Sequence, residues 1–498
     1  MTGKLACACA LIAVCLCLAW LSQPVVVRGP SSADDAYFAL AAKTLASGDG
    51  YGAPQGDGHV MLFDPLISTG PPVILPVALS ILAFGSVEWL PGAVTLLVFV
   101  GQMVVAAGVL ATRFGGSAST AFMSVLLILL MLASRHNWYF GSLLGEPPAF
   151  GFLLIGAILL AVNRSTVMIA FAAVSLSLAF MTKHIALFAA VGIIGAWVLV
   201  LASDRAALPE VRRRLSVVLL AAAMPPVTFE VAKLLFLGWQ GYLALWDASM
   251  ASAVAQGIGS GDTLSRVLVF WSTLTTAYIS PFAACLLLIS AASLIIMVAR
   301  AQRGRSSPLS LDLAVLAGGG ALAHFSYVVL MSTLWPRFYW IGIAVACCGV
   351  AAPVLALGRR ERVGLIIAVA VVILAFDLHK PLVGFHQGVR DDTVAHERAE
   401  VVRLLDENST VPFAAQWWSS LFDILFLKKE KGEWAYGPAV EQLRNRTFIA
   451  LTHRTFTDTN SGFFQALITS CEILTPGAQK IAAYRCGESF WVAWKPGS

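Results

Sequence analysis

Stretches of about 20 consecutive apolar residues recur along most of this chain, and they restrict its fold more than any other feature. A helix of about that length crosses the roughly 30 Å hydrocarbon core of a bilayer. Hydrophobic residues make up 58% of the chain and charged residues only 12%, and the mean hydropathy is +0.80. So few charges cannot cover a water-soluble surface, and the sequence therefore predicts a multispanning membrane protein.

The apolar runs extend from Leu5 almost to Lys380, after which the composition becomes ordinary. We therefore expect a transmembrane domain over residues 1–380 and a small domain over residues 381–498. The second region mixes helix-like and strand-like patterns, which predicts an α/β domain. Its strand candidates are Thr410–Ala415, Thr447–Thr452, Glu472–Thr475, Lys480–Arg485 and Ser489–Trp494, and its helix candidates are His396–Leu405, Ser419–Leu427 and Gly462–Ile468.

Arginine clusters separate several of the apolar runs and indicate which side of the membrane each connection occupies. They lie at Arg113, Arg164, 205–214, 300–305 and 359–362. If all of them are cytoplasmic, the chain forms a bundle of about 11 transmembrane helices with its amino terminus inside and its tail outside. This count requires that residues 71–90 and 264–277 do not cross the membrane.

The remaining polar segments then gather on the outer side. They are a long loop over about 28–91, the turns 135–148, 181–184 and 335–339, the segment 237–263, and the tail. Cys471 and Cys486 lie in that tail, where an oxidising compartment would allow them to pair. A net charge of only +5 gives no reason to expect a nucleic-acid partner.

Two adjacent carboxylates, Asp34 and Asp35, open an amphipathic segment just beyond the first apolar run. Ser32 and Asp35 have the spacing of a capping box, and both acids suit the positive first turn of a helix. The alternative is catalysis, because a carboxylate can take the proton of an attacking hydroxyl. We expect capping for Asp35, whereas the residues alone leave both alternatives open for Asp34.

Glu146 precedes two prolines that suit the first turn of a helix. It is either a partner of the helix dipole or a residue that orients an acceptor or holds a metal, and both remain open.

Lys183 interrupts an apolar stretch over 167–200, where a charged side chain is costly and therefore unusual. It either extends to the lipid headgroups or neutralises a phosphate, and we expect the neighbouring His184 to be structural.

Arg337 lies among Trp335, Phe338, Tyr339 and Trp340. The aromatic residues are typical of a membrane-interface belt, and the arginine itself would then be an anchor. A guanidinium also matches phosphate in bidentate fashion and stays charged, which favours a binding role for Arg337. Trp417–Trp418, Tyr51, His59 and Asp64 are expected to serve packing and local structure, with sugar stacking or acceptor entry as the alternative.

Taken in chain order, these segments resemble the GT-C glycosyltransferases that use polyprenyl-phosphate sugars, such as protein O-mannosyltransferases and the aminoarabinose transferase of lipid A. The resemblance covers most of the membrane part and lies in order and sidedness. The segments that carry it are Asp34-Asp35-Ala36-Tyr37, Thr69-Gly70-Pro71-Pro72 with Pro76, Gly145-Glu146-Pro147 and Arg337-Phe338-Tyr339.

The resemblance implies a mainly α, GT-C-like bundle and an inverting transfer at the outer face. It assigns catalysis to an acidic set and substrate binding to a basic and aromatic set. Some members use a divalent cation and others do not, so Mg²⁺ or Mn²⁺ is a possible cofactor. The resemblance makes Asp34, the first acid of its pair, the catalytic base, which we take as its role ahead of capping. With the residues argued above from their chemistry, the candidate catalytic residues are Asp34, Asp35 and Glu146, and the candidate substrate-binding residues are Tyr37, Lys183, Arg337 and Tyr339.

We therefore expect a glycosyltransferase that takes a monosaccharide from a polyprenyl-phosphate carrier. The alanine-rich helices suggest a bacterial inner membrane, with a cell-envelope glycan, a lipid or a protein as acceptor. The alternatives are a transporter or flippase of a lipid-linked sugar, and a noncatalytic subunit of a glycosylation complex. A transporter would carry charges deep within its helices and an internal repeat, neither of which is evident in the sequence.

Overall fold

A computed structural model describes most of residues 33–362 and short parts of the tail. The described ranges are 33–54, 59–133, 142–162, 165–203, 208–255, 262–277, 309–332, 334–358 and 360–362, then 413–415, 425–427, 434–436, 449–452, 472–473, 481–486, 489–494 and the single positions 292, 295, 296, 403 and 406. The first apolar run, the cluster 300–305, Trp417–Trp418 and the side chains of Cys471 and Cys486 lie outside this description.

Helices dominate the described part of residues 33–362, as the sequence predicts. Two short strands, β1 (Gly52–Pro54) and β2 (Val60–Leu62), form an antiparallel hairpin after the first helix. The helices are α1 (Ala33–Ala46), α2 (Pro71–Phe84), α3 (Leu90–Phe114), α4 (Gly116–Ala133), α5 (Glu146–Val162), α6 (Thr166–Thr182), α7 (Ala186–Ser203), α8 (Leu208–Ala255), α9 (Thr263–Ala277), α10 (Leu309–Met331) and α11 (Trp340–Ala351), with short 3₁₀ helices at Pro336–Tyr339 and Ala352–Ala356.

Prolines and glycines set several of the helix ends. Pro71 and Pro72 occupy the first turn of α2, where a missing amide hydrogen costs nothing, and Gly85 ends that helix with a φ of 80°. Gly238 interrupts α8 with a φ of 66°. This kink lies beside the position where the sequence predicts an outer segment, at residue 237, and the chain continues there as helix to Ala255.

Close packing of α10 against α7 forms the centre of the bundle. A Cβ on Gly192 of α7 would lie 2.3 Å from the carbonyl oxygen of Gly319 in α10, so both helices need glycine to approach this closely. Trp197, Phe150 and Trp340 are among the largest fully buried side chains around this contact. The hydrophobic core as a whole takes buried residues from every described helix from α1 to α11.

Four described segments are long and apolar enough to cross a membrane: α3, α8, α10 and Pro336–Ala356. The protein is therefore a multi-pass membrane protein, while the count of about 11 spanning helices stays a prediction. Helix α2 has 14 residues, fewer than a bilayer requires, in agreement with the expectation that this segment does not cross. Only 6% of the apolar window of α8 is buried within the chain, which leaves this helix with a large uncovered apolar surface.

Six strands of the tail form one mixed sheet: β3 (Phe413–Ala415), β4 (Trp434–Tyr436), β5 (Ile449–Thr452), β6 (Glu472–Ile473), β7 (Ile481–Cys486) and β8 (Ser489–Trp494), in the order β4-β3-β5-β8-β7-β6. The neighbours from β4 to β8 are parallel, and β8, β7 and β6 are antiparallel. Five of these strands confirm their sequence candidates, and β4 was missed. The α/β character of this region and the boundary at 380/381 remain predictions.

One described contact joins the tail to the first helix. Lys43, in the last turn of α1, donates hydrogen bonds to the carbonyl oxygens of Leu425 at 2.8 Å and Phe426 at 2.9 Å. The side chain of Phe426 is fully buried in the same core as α1. Partial burial lowers the pKa of Lys43 to about 8.

Candidate active site

Asp34 and Asp35 open α1 but point to different partners. Asp34 forms an ion pair with the guanidinium of Arg337, and both side chains are partly exposed. Asp35 is buried and accepts a hydrogen bond from the backbone amide of Leu143, in the loop before α5. This contact joins α1 to a distant loop. The capping box with Ser32 stays a prediction, because Ser32 lies outside the described residues.

Arg337 lies in the 3₁₀ helix before α11, as the Pro336 position favours. Its guanidinium lies 4.9 Å from the ring centre of Trp335 and 5.3 Å from that of Phe338. These cation–π contacts hold the arginine beside Asp34. The aromatic residues therefore orient Arg337 directly, in addition to any role as an interface belt.

Lys183 and Glu146 form a second, buried ion pair. The Nζ atom of Lys183 lies 3.6 Å from the Oε1 atom of Glu146, and the two side chains are 2% and 0% exposed. Lys183 also donates a hydrogen bond to the Ser68 hydroxyl at 2.9 Å and lies 5.5 Å from the ring centre of Phe38. Because the ammonium is enclosed, the interpretation that Lys183 extends to the lipid headgroups is wrong.

Burial determines the acidity of this lysine, which lies between α6 and α7. Removal from water lowers the pKa of Lys183 below its ordinary value of 10.5, and the charge of Glu146 opposes this change. Asp34 and Arg337 also act on Lys183 electrostatically. The exposed ion pair and the buried ion pair therefore belong to one cluster, in which Asp34–Arg337 lies nearer to solvent and Lys183–Glu146 lies deeper.

Three loops meet at tight backbone contacts to build the deeper pair. Thr69 pairs with Lys183 in an isolated antiparallel bridge, and its hydroxyl donates to the carbonyl of Leu144 at 2.8 Å. The Gly70 amide donates to the carbonyl of Thr182 at 3.0 Å, and a Cβ on Gly70 would lie 1.7 Å from the Met181 carbonyl oxygen. Gly145, with a φ of 88°, turns the chain into Glu146.

The two tyrosines of the candidate site do not join the four charges directly. Tyr37 is buried, and its hydroxyl donates a hydrogen bond to Asp64, which also accepts from the Leu66 amide at 2.8 Å. Tyr339 is fully buried and stacks on Phe270 of α9 with ring centres 5.1 Å apart. These contacts make both tyrosines part of the packing around the site, and their contact with substrate remains a prediction.

The sequence interpretation missed His324, which lies in the middle of α10 and is fully buried. Its Nε2 atom lies 2.8 Å from the carbonyl oxygen of Phe338, in the turn that carries Arg337. A histidine inside an apolar helix is a signal that deserved a functional hypothesis.

The described residues do not fit a divalent cation. Among them, no group of three or more His, Cys, Asp or Glu side chains has the arrangement of a metal site. Asp34 and Glu146 each already face a cationic side chain, Arg337 and Lys183. A bound cation would have to displace these positive charges and would find too few oxygen ligands.

Comparison with known proteins supports the fold. No family model matches the chain, and no curated protein matches its sequence. Two crystal structures of ArnT from Cupriavidus metallidurans are similar at 13% identity, and in each case the match covers 94% of this chain and 95% of the other. The TM-score is 0.56 for ArnT bound to undecaprenyl phosphate and 0.54 for the apo state.

ArnT is a GT-C glycosyltransferase, so the resemblance expected from the sequence is confirmed at the level of the fold. The match extends over nearly the whole of both chains. This chain is thus a membrane protein that shares its fold with ArnT, and the chemistry it performs has to be argued from its own residues.

Proposed function

We propose that this protein is an integral-membrane, inverting glycosyltransferase. It transfers a monosaccharide from a polyprenyl-phosphate carrier to a cell-envelope glycan, a lipid or a protein. The reaction takes place at the outer face of a bacterial inner membrane, in contact with membrane lipids.

The observation that carries this proposal is the meeting of two acids and two cations from four distant segments. Asp34, Glu146, Lys183 and Arg337 form two ion pairs that influence one another. Charges inside a membrane protein are costly, so a cluster of four indicates a functional site. The undecaprenyl phosphate bound to ArnT, which shares the fold, supports a lipid phosphate as the ligand of the two cations.

The chemistry of such a transfer needs one base and stabilisation of one leaving group. Asp34 takes the proton of the acceptor hydroxyl while the hydroxyl oxygen attacks the anomeric carbon. The bond from that carbon to the phosphate oxygen breaks, and its electron pair leaves with the polyprenyl phosphate. Attack from the side opposite to the phosphate inverts the anomeric centre.

Lys183 and Arg337 stabilise the departing phosphate by charge, so no general acid is required. In the resting site Arg337 holds Asp34, and a phosphate that binds Arg337 competes with this carboxylate. Donor binding therefore frees Asp34 to accept a proton. Because Asp34 and Glu146 already face cations, we propose that the transfer proceeds through these side chains without a divalent metal.

The test is transfer by purified full-length protein supplied with a panel of undecaprenyl-phosphate sugars. Asp34→Asn keeps the size of the side chain but cannot take a proton, and we expect at least a hundredfold loss of turnover. Asp49→Asn, an exposed position shortly after the same helix, is the matched control and should retain full activity. Near-normal transfer by Asp34→Asn would exclude Asp34 as the base, and transfer of no sugar by the wild type would contradict the proposed function.

A further inference from the structure

The carboxylate of Glu146 is fully enclosed and lacks the hydrogen bonds that such a group requires. Its exposed fraction is 0%, and neither oxygen has a hydrogen-bond partner among the described residues. The 3.6 Å distance to the Nζ atom of Lys183 is too long for a hydrogen bond. Buried polar groups are nearly always satisfied, and both oxygens of this carboxylate have the capacity to accept hydrogen bonds from a ligand.

We propose that Glu146 is the sugar-recognition residue of the site and accepts hydrogen bonds from hydroxyl groups of the donor monosaccharide. The inference rests on the proposed function. It assigns Glu146 to the sugar of the donor, and not to the acceptor or to a metal.

The charges of the cluster define what can approach this carboxylate. A phosphate cannot bind to Glu146, because both groups are anionic, but it can bind to the neighbouring ammonium of Lys183. The sugar of the donor is attached directly to that phosphate. A phosphate on Lys183 therefore brings the sugar within reach of a carboxylate that lies beside the same lysine.

The chemistry of the carboxylate agrees with a carbohydrate ligand. Two ionised oxygens accept hydrogen bonds from neighbouring hydroxyl groups, and hydrogen bonds to a charged acceptor are stronger than those between neutral groups. The backbone holds Glu146 at a defined position, since it opens α5 directly after the turn at Gly145. A rigid acceptor of this kind selects for the placement of hydroxyl groups on the sugar.

Binding measurements on the full-length protein in detergent, without acceptor, separate the sugar from the phosphate. The two probes are undecaprenyl phosphate and the undecaprenyl-phosphate sugar that the wild type binds most tightly. In Glu146→Gln the affinity for undecaprenyl phosphate should be unchanged or higher, because a negative charge near the phosphate is removed. The affinity for the sugar-bearing lipid should fall about ten- to a hundredfold.

Glu88→Gln, in the same outer region but remote from the ion pairs, is the matched control and should change neither affinity. Glu146→Asp keeps the charge on a shorter side chain and should also lower only the affinity for the sugar-bearing lipid. This variant tests the proposal if Glu146→Gln does not fold. An equal loss for both lipids, or no loss for the sugar-bearing lipid, would overturn the inference. An increase of the acceptor KM with unchanged donor affinity would also overturn it, whereas failure of the wild type to bind either lipid would refute the proposed function itself.

Discussion

The guanidinium of Arg337 has three described neighbours: the carboxylate of Asp34 and the rings of Trp335 and Phe338. Trp335 and Phe338 belong to the same turn as Arg337 and move together with it. Asp34 belongs to a different element, the helix α1. A phosphate can therefore replace the carboxylate without disturbing the support that the rings provide. Under the proposed function, Arg337 would therefore restrain the base before donor binding and bind the donor afterwards.

Lys183 gives the site a dependence on pH. Since burial lowers the pKa of its ammonium below 10.5, the charge is lost at a lower pH than in an ordinary lysine. We expect the affinity for undecaprenyl phosphate to fall as the pH rises through this lowered pKa, by up to about tenfold per pH unit. Binding measured between pH 7 and 10 tests this expectation.

Lys183→Arg is the control for this titration, because a guanidinium keeps its charge over the whole range. Its affinity at pH 7 should be close to that of the wild type, and the alkaline loss should disappear. The same alkaline loss in both proteins would assign the titration to another group.

For individual residues, the sequence indicated which side chains could take part in the site but not which of them contact one another. The chemistry of Asp34, Glu146, Lys183 and Arg337 could be inferred from single charges beside apolar runs. Asp34 and Arg337 are 303 positions apart, however, and nothing in one sequence indicates that they touch. The contact of His324 was missed for the same reason, since its recorded partner is the backbone carbonyl of Phe338 in another segment.

At the scale of elements, the loop contacts at Gly70 fix the position of the deeper ion pair. A methyl group at this position would lie 1.7 Å from the carbonyl oxygen of Met181. In Gly70→Ala the loops must separate, at a cost of about 1–3 kcal/mol or more. We expect a lower unfolding temperature and weaker binding of undecaprenyl phosphate, because the Lys183 turn moves away from Glu146.

Gly101→Ala in α3 is the matched substitution, since a Cβ there meets nothing within 4 Å. It should leave binding unchanged and stabilise the helix slightly, by about 0.5–1 kcal/mol. Equal thermal stability of the two variants would show that the contact at Gly70 is unimportant.

Elements with a strong local pattern could be predicted, and those without one could not. The apolar stretch over 167–200 revealed the turn at Lys183, which separates α6 from α7 as expected. Strand β4 was missed because Trp434–Tyr436 is short and follows a charged segment with no alternating pattern. The kink in α8 depends on one glycine in the left-handed region, which a composition pattern does not reveal.

For the whole molecule, Arg362 of the cluster 359–362 lies at the end of the bundle where α3 ends and α4 begins. Arg362 donates a hydrogen bond to the Ser117 hydroxyl at 3.0 Å, close to Arg113 at the end of α3. Helix α4 then runs 18 residues toward the loop that carries Leu143, a length of roughly 27 Å. The contact of Arg362 with Ser117, four residues after Arg113, supports the prediction that Arg113 and the cluster 359–362 lie on the same side, away from the four charges.

Cysteine labelling in intact cells tests this sidedness. In a version without the native cysteines, Ser47→Cys, just after α1, should react with a membrane-impermeant maleimide from outside. Thr112→Cys, near Arg113, should react only after the membrane is permeabilised; both positions are exposed on the protein. The reverse result would invert the topology and place the transfer on the cytoplasmic side.

Helix α1 connects two parts of the chain through its opposite ends. Asp34 lies in its first turn and Lys43, which holds the carbonyls of Leu425 and Phe426, lies in its last. A helix of 14 residues is stiff and roughly 21 Å long, so a displacement of one end also moves the other end. If Asp34 is the base, as we propose, an acceptor or partner that displaces residues 425–426 would also displace this carboxylate, and α1 would couple the tail to the transfer step.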